Sequence, residues 1–176
     1  FRRVLFRSWD GLGTTMADTA AAERHIAAVL ALPYVDVTAI RARRFRVAYD
    51  ACRGAGSVII PALLERLGCE VTAINLEPDG RFPRPPEPVP EHLGDLERLV
   101  RESGAVVGFA TDPDVDRLAL VADGGVAIGE DYTLALACRV VLQRRKGHAV
   151  ANLSTSQVVD DAVREAGQRL VHAPVG

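Results

Sequence analysis

Residues 108–123 read GFATDPDVDRLALVAD, and at their centre TDPDVDR sets Asp112, Asp114 and Asp116 at alternate positions with Arg117 directly after them. Three carboxylates in one short turn repel unless a cation or hydrogen bonds compensate. Three readings compete. Aspartates at positions one, three and five open an EF-hand calcium loop, but that loop needs glycine at six and glutamate at twelve, where this chain has Arg117 and Asp123. LALVA is also strand-like where such a loop would continue. A merely solvated polar turn is the plain structural alternative, with Arg117 alone close enough in sequence to relieve the charge. The third reading is a divalent-metal site at the carboxyl end of a strand, where open α/β sheets place their ligands. In a locally extended turn alternate residues face one way, which would converge the three carboxylates on one ion, with Pro113 stiffening the backbone. An all-oxygen set without Cys or His selects a hard cation, Mg²⁺ over Zn²⁺. Arg117 adds a planar cation, and a metal with a guanidinium is what a phosphoryl group needs for charge neutralisation. The residue types therefore predict metal-assisted phosphoryl transfer.

Such a turn has to be carried by strands, and the flanking sequence supplies them. AVVGFA and RLALVA read as strands on either side of the aspartates. Upstream, DTAAAERHIAAVLAL is a helix behind Asp18 as N-cap and ends at Pro33, and a short helix follows through VDVTAIRARR. RFRVAYDA is a buried strand, GAGSVIIPALLERLG a helix closed by Gly68, and CEVTAINL a second strand. A loop with six prolines, EPDGRFPRPPEPVP, leads into the helix EHLGDLERLVRESG, ended by Gly104. Strand and helix in alternation imply an α/β fold, a three-layer α/β/α domain around a largely parallel, mixed sheet covered on both faces. After a turn at Gly124 and Gly125 the pattern restarts with GEDYTLALACRVVLQRR, HAVANL, SQVVDDAVREAG and RLVHA as helix, strand, helix and strand. Two strands and two helices are thin for an independent core. Residues 17–124 are thus expected to form a complete domain, and 125–176 the opening of a second domain of similar type, cut off part-way.

The 176-residue chain is 48% hydrophobic, enough for one good core or for one domain and part of another. Its 21 basic and 23 acidic residues are scattered, which gives no electrostatic footprint for nucleic acid. Cys52, Cys69 and Cys138 are odd in number, widely spaced and set among apolar neighbours, and read as buried free thiols in a reducing cytosol. His25, His92, His148 and His172 form no pair at ligand spacing. No apolar run approaches the roughly 18 residues of a membrane span, so a cytoplasmic location and no membrane partner are expected. In FRRVLFRS arginine interrupts the apolar residues, so the peptide is not expected to be a secretory signal. That peptide resembles a translated sequencing adapter, and residues 1–16 are expected to be non-native or linker.

Three further motifs have competing readings. CRGAGS follows a strand and opens a helix, with Glu77 at the end of the next strand, which imitates a dinucleotide-binding βαβ unit. Its third glycine position is Ile59, so the NAD-binding alternative rests on two glycines. Pro83 to Pro86 and Pro85 to Pro88 fit PxxP, although an ordered loop packed on its own domain is favoured by the Pro-Asp-Gly turn that opens it. In LSTSQ, Ser154 or Ser156 could face the cleft, with an N-cap as the expected role for one of them.

ATDPDVDRLALV resembles the metal-binding loop of the α-D-phosphohexomutases, the phosphoglucomutase and phosphomannomutase superfamily. INLEPDGRFPRPPEPVPEHLGDLERLV is similar to the loop ahead of it, and HAPVG to a Thr-Pro-Val-Gly of the third domain, with Ala173 in place of the threonine. Together these motifs span roughly residues 17–176. The resemblance implies a four-domain enzyme of which this chain holds the second domain and the opening of the third. It implies that Asp112, Asp114 and Asp116 bind Mg²⁺ and that Arg117 contacts the phosphoryl group. The phosphoserine that donates phosphate, the Gly-Glu sugar loop and the phosphate loop of the fourth domain have no counterpart here, so the fragment is expected to be inactive alone. For the full enzyme it implies transfer of a phosphoryl group between the 1 and 6 positions of a hexose phosphate. GFATDPDVDRLALV with AIGEDYTLALA is most similar to bacterial phosphoglucosamine mutases, with glucosamine phosphate as substrate; phosphomannomutase or phosphoglucomutase is the alternative.

Overall fold

The structure, a computed structural model, describes residues 13–175. Most of the segment expected to be non-native, and Gly176 of HAPVG, lie outside the described residues. The elements run α1 (Ala21–Leu30), α2 (Val37–Arg43), β1 (Arg46–Asp50), α3 (Gly56–Arg66), β2 (Glu70–Ile74), a 3-10 turn at Pro90–His92, α4 (Gly94–Ser103), β3 (Val107–Thr111), β4 (Leu118–Ala122), β5 (Val126–Ala127), α5 (Glu130–Arg144), β6 (Ala149–Asn152), α6 (Gln157–Glu165) and β7 (Leu170–Ala173).

Five strands form one sheet in the order β2-β1-β3-β4-β5. β1 pairs in parallel with both β2 and β3, whereas β3–β4 and β4–β5 are antiparallel, so the sheet is mixed as expected. Alternation along β1 and β3 sends Ala48, Gly108 and Ala110 to one face and Val47, Tyr49 and Phe109 to the other. On the first face α4 lays Leu96 and Val100 against Ala48, Ala110, Ala119 and Val121. Small residues on the strands let this helix sit close; a Cβ on Gly108 would lie 2.7 Å from Val100 Cγ2. The opposite face carries α3. The chain steps outward from β1 to β2 and returns past β1 to β3, and this reversal opens a crevice beyond the carboxyl ends of β1 and β3.

Several boundaries differ from expectation for identifiable reasons. Asp18 does not cap α1; its carboxylate pairs with Arg24 and accepts the Ala20 amide at 3.1 Å, so the helix begins at Ala21 without a side-chain cap. That helix stops at Leu30, ahead of Pro33, whose ring disfavours helical backbone at Leu32. The helix expected from Glu91 is split, with the 3-10 turn first and α4 proper from Gly94. Asp36 caps α2 by accepting the Ala39 amide at 2.9 Å, and Gly104, at φ +61°, closes α4 in the left-handed conformation. β5, two residues long, was not legible in the sequence.

The second sheet holds only β6 and β7, paired in parallel. α5 and α6 bury Ala135, Val159, Ala162 and Val163 together, while Val150 remains 71% exposed. Ser156 caps α6 through the Val158 amide, as expected for one serine of LSTSQ. Among the described residues no helix is long and apolar enough to cross a membrane.

Leu96 is fully buried at the centre of the α4 contact. Leu96→Ala should cost about 2–5 kcal/mol in urea denaturation. Val150→Thr should stay within about 0.5 kcal/mol of the parent.

Candidate metal centre

The site is built at the carboxyl ends of β1 and β3. β3 ends at Thr111, so Asp112 is the first residue past the strand and is buried, at 7% exposure. Asp114 and Asp116 are exposed, and β4 resumes at Leu118. The ligand oxygens of Asp112, Asp114 and Asp116 all lie within 4.8 Å of one another, the one cluster of three such groups among the described residues. Oxygens on one Mg²⁺ lie up to about 4.2 Å apart, so a set held within 4.8 Å is of the size one ion requires. The donor set, three carboxylate oxygens with no sulfur or nitrogen, fits a hard divalent cation.

The convergence does not arise from an extended backbone. Residues 113–115 form a turn and bend, with Val115 at φ +66° donating its amide to the Asp112 carbonyl at 3.3 Å. A β-branched residue in the left-handed region is strained and persists only where surroundings impose it. Here the imposing contacts come from the β1–α3 turn. The Ala55 amide donates to the Pro113 carbonyl at 2.7 Å, and a Cβ on Gly54 would stand 2.4 Å from that same oxygen. A Cβ on Gly56 would be 2.3 Å from the Tyr49 hydroxyl, which hydrogen-bonds Thr111 Oγ1 at 2.9 Å. The two glycines of CRGAGS therefore admit the acidic loop and a buried tyrosine. Packing within the domain thus accounts for both glycines without a dinucleotide, and Glu77 pairs with Arg53 at 3.5 Å.

Burial pushes the Tyr49 hydroxyl up to about 12. Burial also pushes the Asp112 carboxyl up, but a hydrogen bond with Asp116, the Arg117 amide at 3.2 Å and the Arg117 charge outweigh it, and Asp112 sits below its ordinary value. Asp116 is raised, first by its hydrogen bond with Asp112 and then by the charges of Asp112 and Asp114. Like charges this close oppose full ionisation of the set, and a bound cation would relieve that opposition.

Asp116 and Arg117 also line a cleft of about 480 Å³ facing the second sheet, together with Thr133, Asn152, Ser154 and Thr155. Ser154 faces this cleft while Ser156 is spent on its helix. Thr133 Oγ1 donates to the Leu118 carbonyl at 2.7 Å and ties α5 to the end of the loop. The strand that begins at Leu118 excludes the EF-hand continuation. Of the cysteines, only Cys52 is fully buried; Cys69, just ahead of β2, and Cys138, mid-way along α5 at the margin of its small core, are half-buried, and all three are free. Pro88, the end of one PxxP segment, is fully buried, consistent with a loop packed on its own domain.

Reading the sequence missed Asp50 and Arg84. Their side chains pair at 2.8 Å and are only 2% and 9% exposed. The available signal was an aspartate ending the otherwise apolar strand RVAYD, since a buried charge requires a partner.

Comparison with known proteins agrees with this arrangement. Residues 23–125 match the family model described as phosphoglucomutase/phosphomannomutase, alpha/beta/alpha domain II. A Methanopyrus kandleri protein named "Probable phosphoglucosamine mutase" is 37% identical over 173 residues, covering 97% of this chain and 37% of that protein. A phosphopentomutase of Thermococcus kodakarensis is 38% identical over 133 residues, covering 74% of this chain and 30% of its own. A crystal structure of a phosphoglucomutase/phosphomannomutase family protein from Burkholderia thailandensis superposes with a TM-score of 0.72 at 28% identity, over 88% of this chain and 33% of that one. An α/β/α domain with an acidic loop at its sheet's switch point is thus the class defined by fold and site. The chain belongs to the phosphoglucomutase/phosphomannomutase family. It spans about a third of the length of the curated relatives it matches.

Gly54→Ala forces a Cβ into the Pro113 carbonyl and should cost about 1–3 kcal/mol in denaturant while weakening divalent-cation binding. The Asp116 shift gives a pH test. Its folded pKa is raised, so the stability it contributes is present at acid pH and lost as pH rises through that value. Asp112, lowered, has the opposite sign, its contribution being lost as pH falls. A cation relieves the repulsion that ionisation of Asp116 creates. Mg²⁺ should therefore raise Tm more near neutral pH than below pH ~4, and equal increments in scanning fluorimetry would contradict this.

Proposed function

We propose that this chain is the metal-bearing part of a Mg²⁺-dependent phosphohexomutase that moves a phosphoryl group between the 1 and 6 positions of a hexose phosphate. The observation that carries the reading is the convergence of Asp112, Asp114 and Asp116 beside Arg117, in a chain of this family. The three aspartates hold the ion. When bound, Mg²⁺ supplies charge neutralisation to a phosphoryl oxygen. Arg117 presents its guanidinium in the cleft, where planar, permanently charged donors suit the same group. Thr133, Ser154 and Asn152 on the facing side offer hydroxyl and amide groups suited to a sugar phosphate.

The phosphoserine that exchanges phosphate with the sugar lies, in this reading, outside the present chain, and the 176 residues alone have no turnover. Residues 17–124 are then the family's second domain and 125–176 the start of the third, with β5 a short strand carried past that division. The separation of the five-stranded from the two-stranded sheet supports this. Glucosamine phosphate is the proposed substrate, supported by the name of the Methanopyrus kandleri relative. The phosphopentomutase name of another relative makes the sugar itself a point for assay. Three free thiols fit a reducing cytoplasmic setting.

The test uses a full-length chain assayed on glucosamine, glucose, mannose and pentose phosphates. Asp114→Ala should abolish metal-dependent turnover, and activity at the parent level would refute the metal role. Arg117→Ala should lower kcat by roughly 100-fold with a smaller change in KM. A change confined to KM would remove Arg117 from phosphoryl transfer.

A further inference from the structure

The acidic loop is gripped from behind by a group that the transfer reaction does not use. Arg84, from the proline loop, donates from Nη2 to the Thr111 carbonyl at 2.8 Å, one peptide unit before Asp112. Its Nε donates to Asp50 Oδ2 at 2.8 Å, and its Nη1 donates to the carbonyls of Pro85 and Pro86 at 3.2 and 3.1 Å. Asp50 is fixed in turn, its Oδ1 accepting from the Cys52 amide and from Asn75 Nδ2, each at 2.9 Å. One guanidinium thereby joins the carboxyl ends of β1 and β3 to the proline loop, with its side chain 9% exposed.

Stability alone is a poor account of this arrangement, because apolar residues can replace a buried ion pair without loss. What a guanidinium adds is direction: donors fixed in one plane hold a carboxylate and a carbonyl at a set separation, which an ammonium does not do. The carbonyl so held belongs to the peptide that carries Asp112, the buried member of the aspartate set. Resting on the metal reading above, we propose that Arg84 is a positioning residue of the metal centre: anchored on Asp50, it orients the Thr111–Asp112 backbone and so sets the site's affinity for divalent cations.

Mn²⁺ binding to the 176-residue chain, followed by the loss of the free-ion electron paramagnetic resonance signal, tests this. The parent should bind one ion and Asp114→Ala none. Arg84→Lys keeps the charge against Asp50 but not the fork, and should bind about 10-fold or more weakly, the loss typical when a group orienting a metal ligand is removed. The Asp50→Leu/Arg84→Met pair removes both charges, so Tm should stay near the parent's while affinity stays reduced. A merely structural clamp predicts the reverse, with affinity restored along with Tm. Parent-like affinity in the Lys variant, or in a folded double variant, overturns the positioning role and leaves the metal reading intact. Failure of the parent itself to bind Mn²⁺ overturns both.

Discussion

Repulsion among three carboxylates in one turn is the constraint around which this structure is arranged. A flexible acidic loop would relax by turning its side chains into water. Here the backbone is denied that freedom. The Pro113 carbonyl is held by the Ala55 amide, Val115 is forced into a left-handed conformation, and Asp112 is buried under the loop. The charge is compensated in part by Arg117, whose amide and guanidinium both favour ionised Asp112. Among the left-handed non-glycine residues described, Arg44, Cys52, Arg53, Asn75 and Val115, only Val115 is β-branched, and it alone sits amid three carboxylates, the combination of strain and repulsion that functional sites concentrate.

The sheet explains why the loop lies where it does. β1 is the central parallel strand, and both groups that restrain the loop follow from it: the glycine turn leads out of its carboxyl end, and Asp50 is its last residue. Small residues on the α4 face keep that helix close and leave the opposite face to α3, whose first turn begins beneath the loop. Fold and site are thus one arrangement seen at two scales.

Much of this was legible in the sequence, because alternation, glycine stops and a proline-rich break are local signals. Every strand but β5, the turn at Gly124 and the N-cap at Ser156 followed from such signals. The aspartate spacing singled out three carboxylates that the fold does bring together, although the reason first attached to it, an extended backbone, was not the one found. What escaped were causes that act between distant segments. Nothing near Gly54 announces that it must admit Pro113, and nothing near Arg84 announces Asp50. The start of α1 was misjudged for a similar reason, since Asp18 had a stronger partner in Arg24 than in the helix amides.

The Gly54 contact has a consequence for folding. The three aspartates are neighbours along the chain, yet the shape that brings them together is imposed by a turn that follows the adjacent strand β1, more than fifty residues earlier in sequence. A peptide spanning the loop would carry all three aspartates and none of the architecture. The centre therefore comes into being only after β1 and β3 have paired, a non-local step, and a cation has little to seize in the unfolded chain. A cation bound there would reward the finished fold without guiding the route to it.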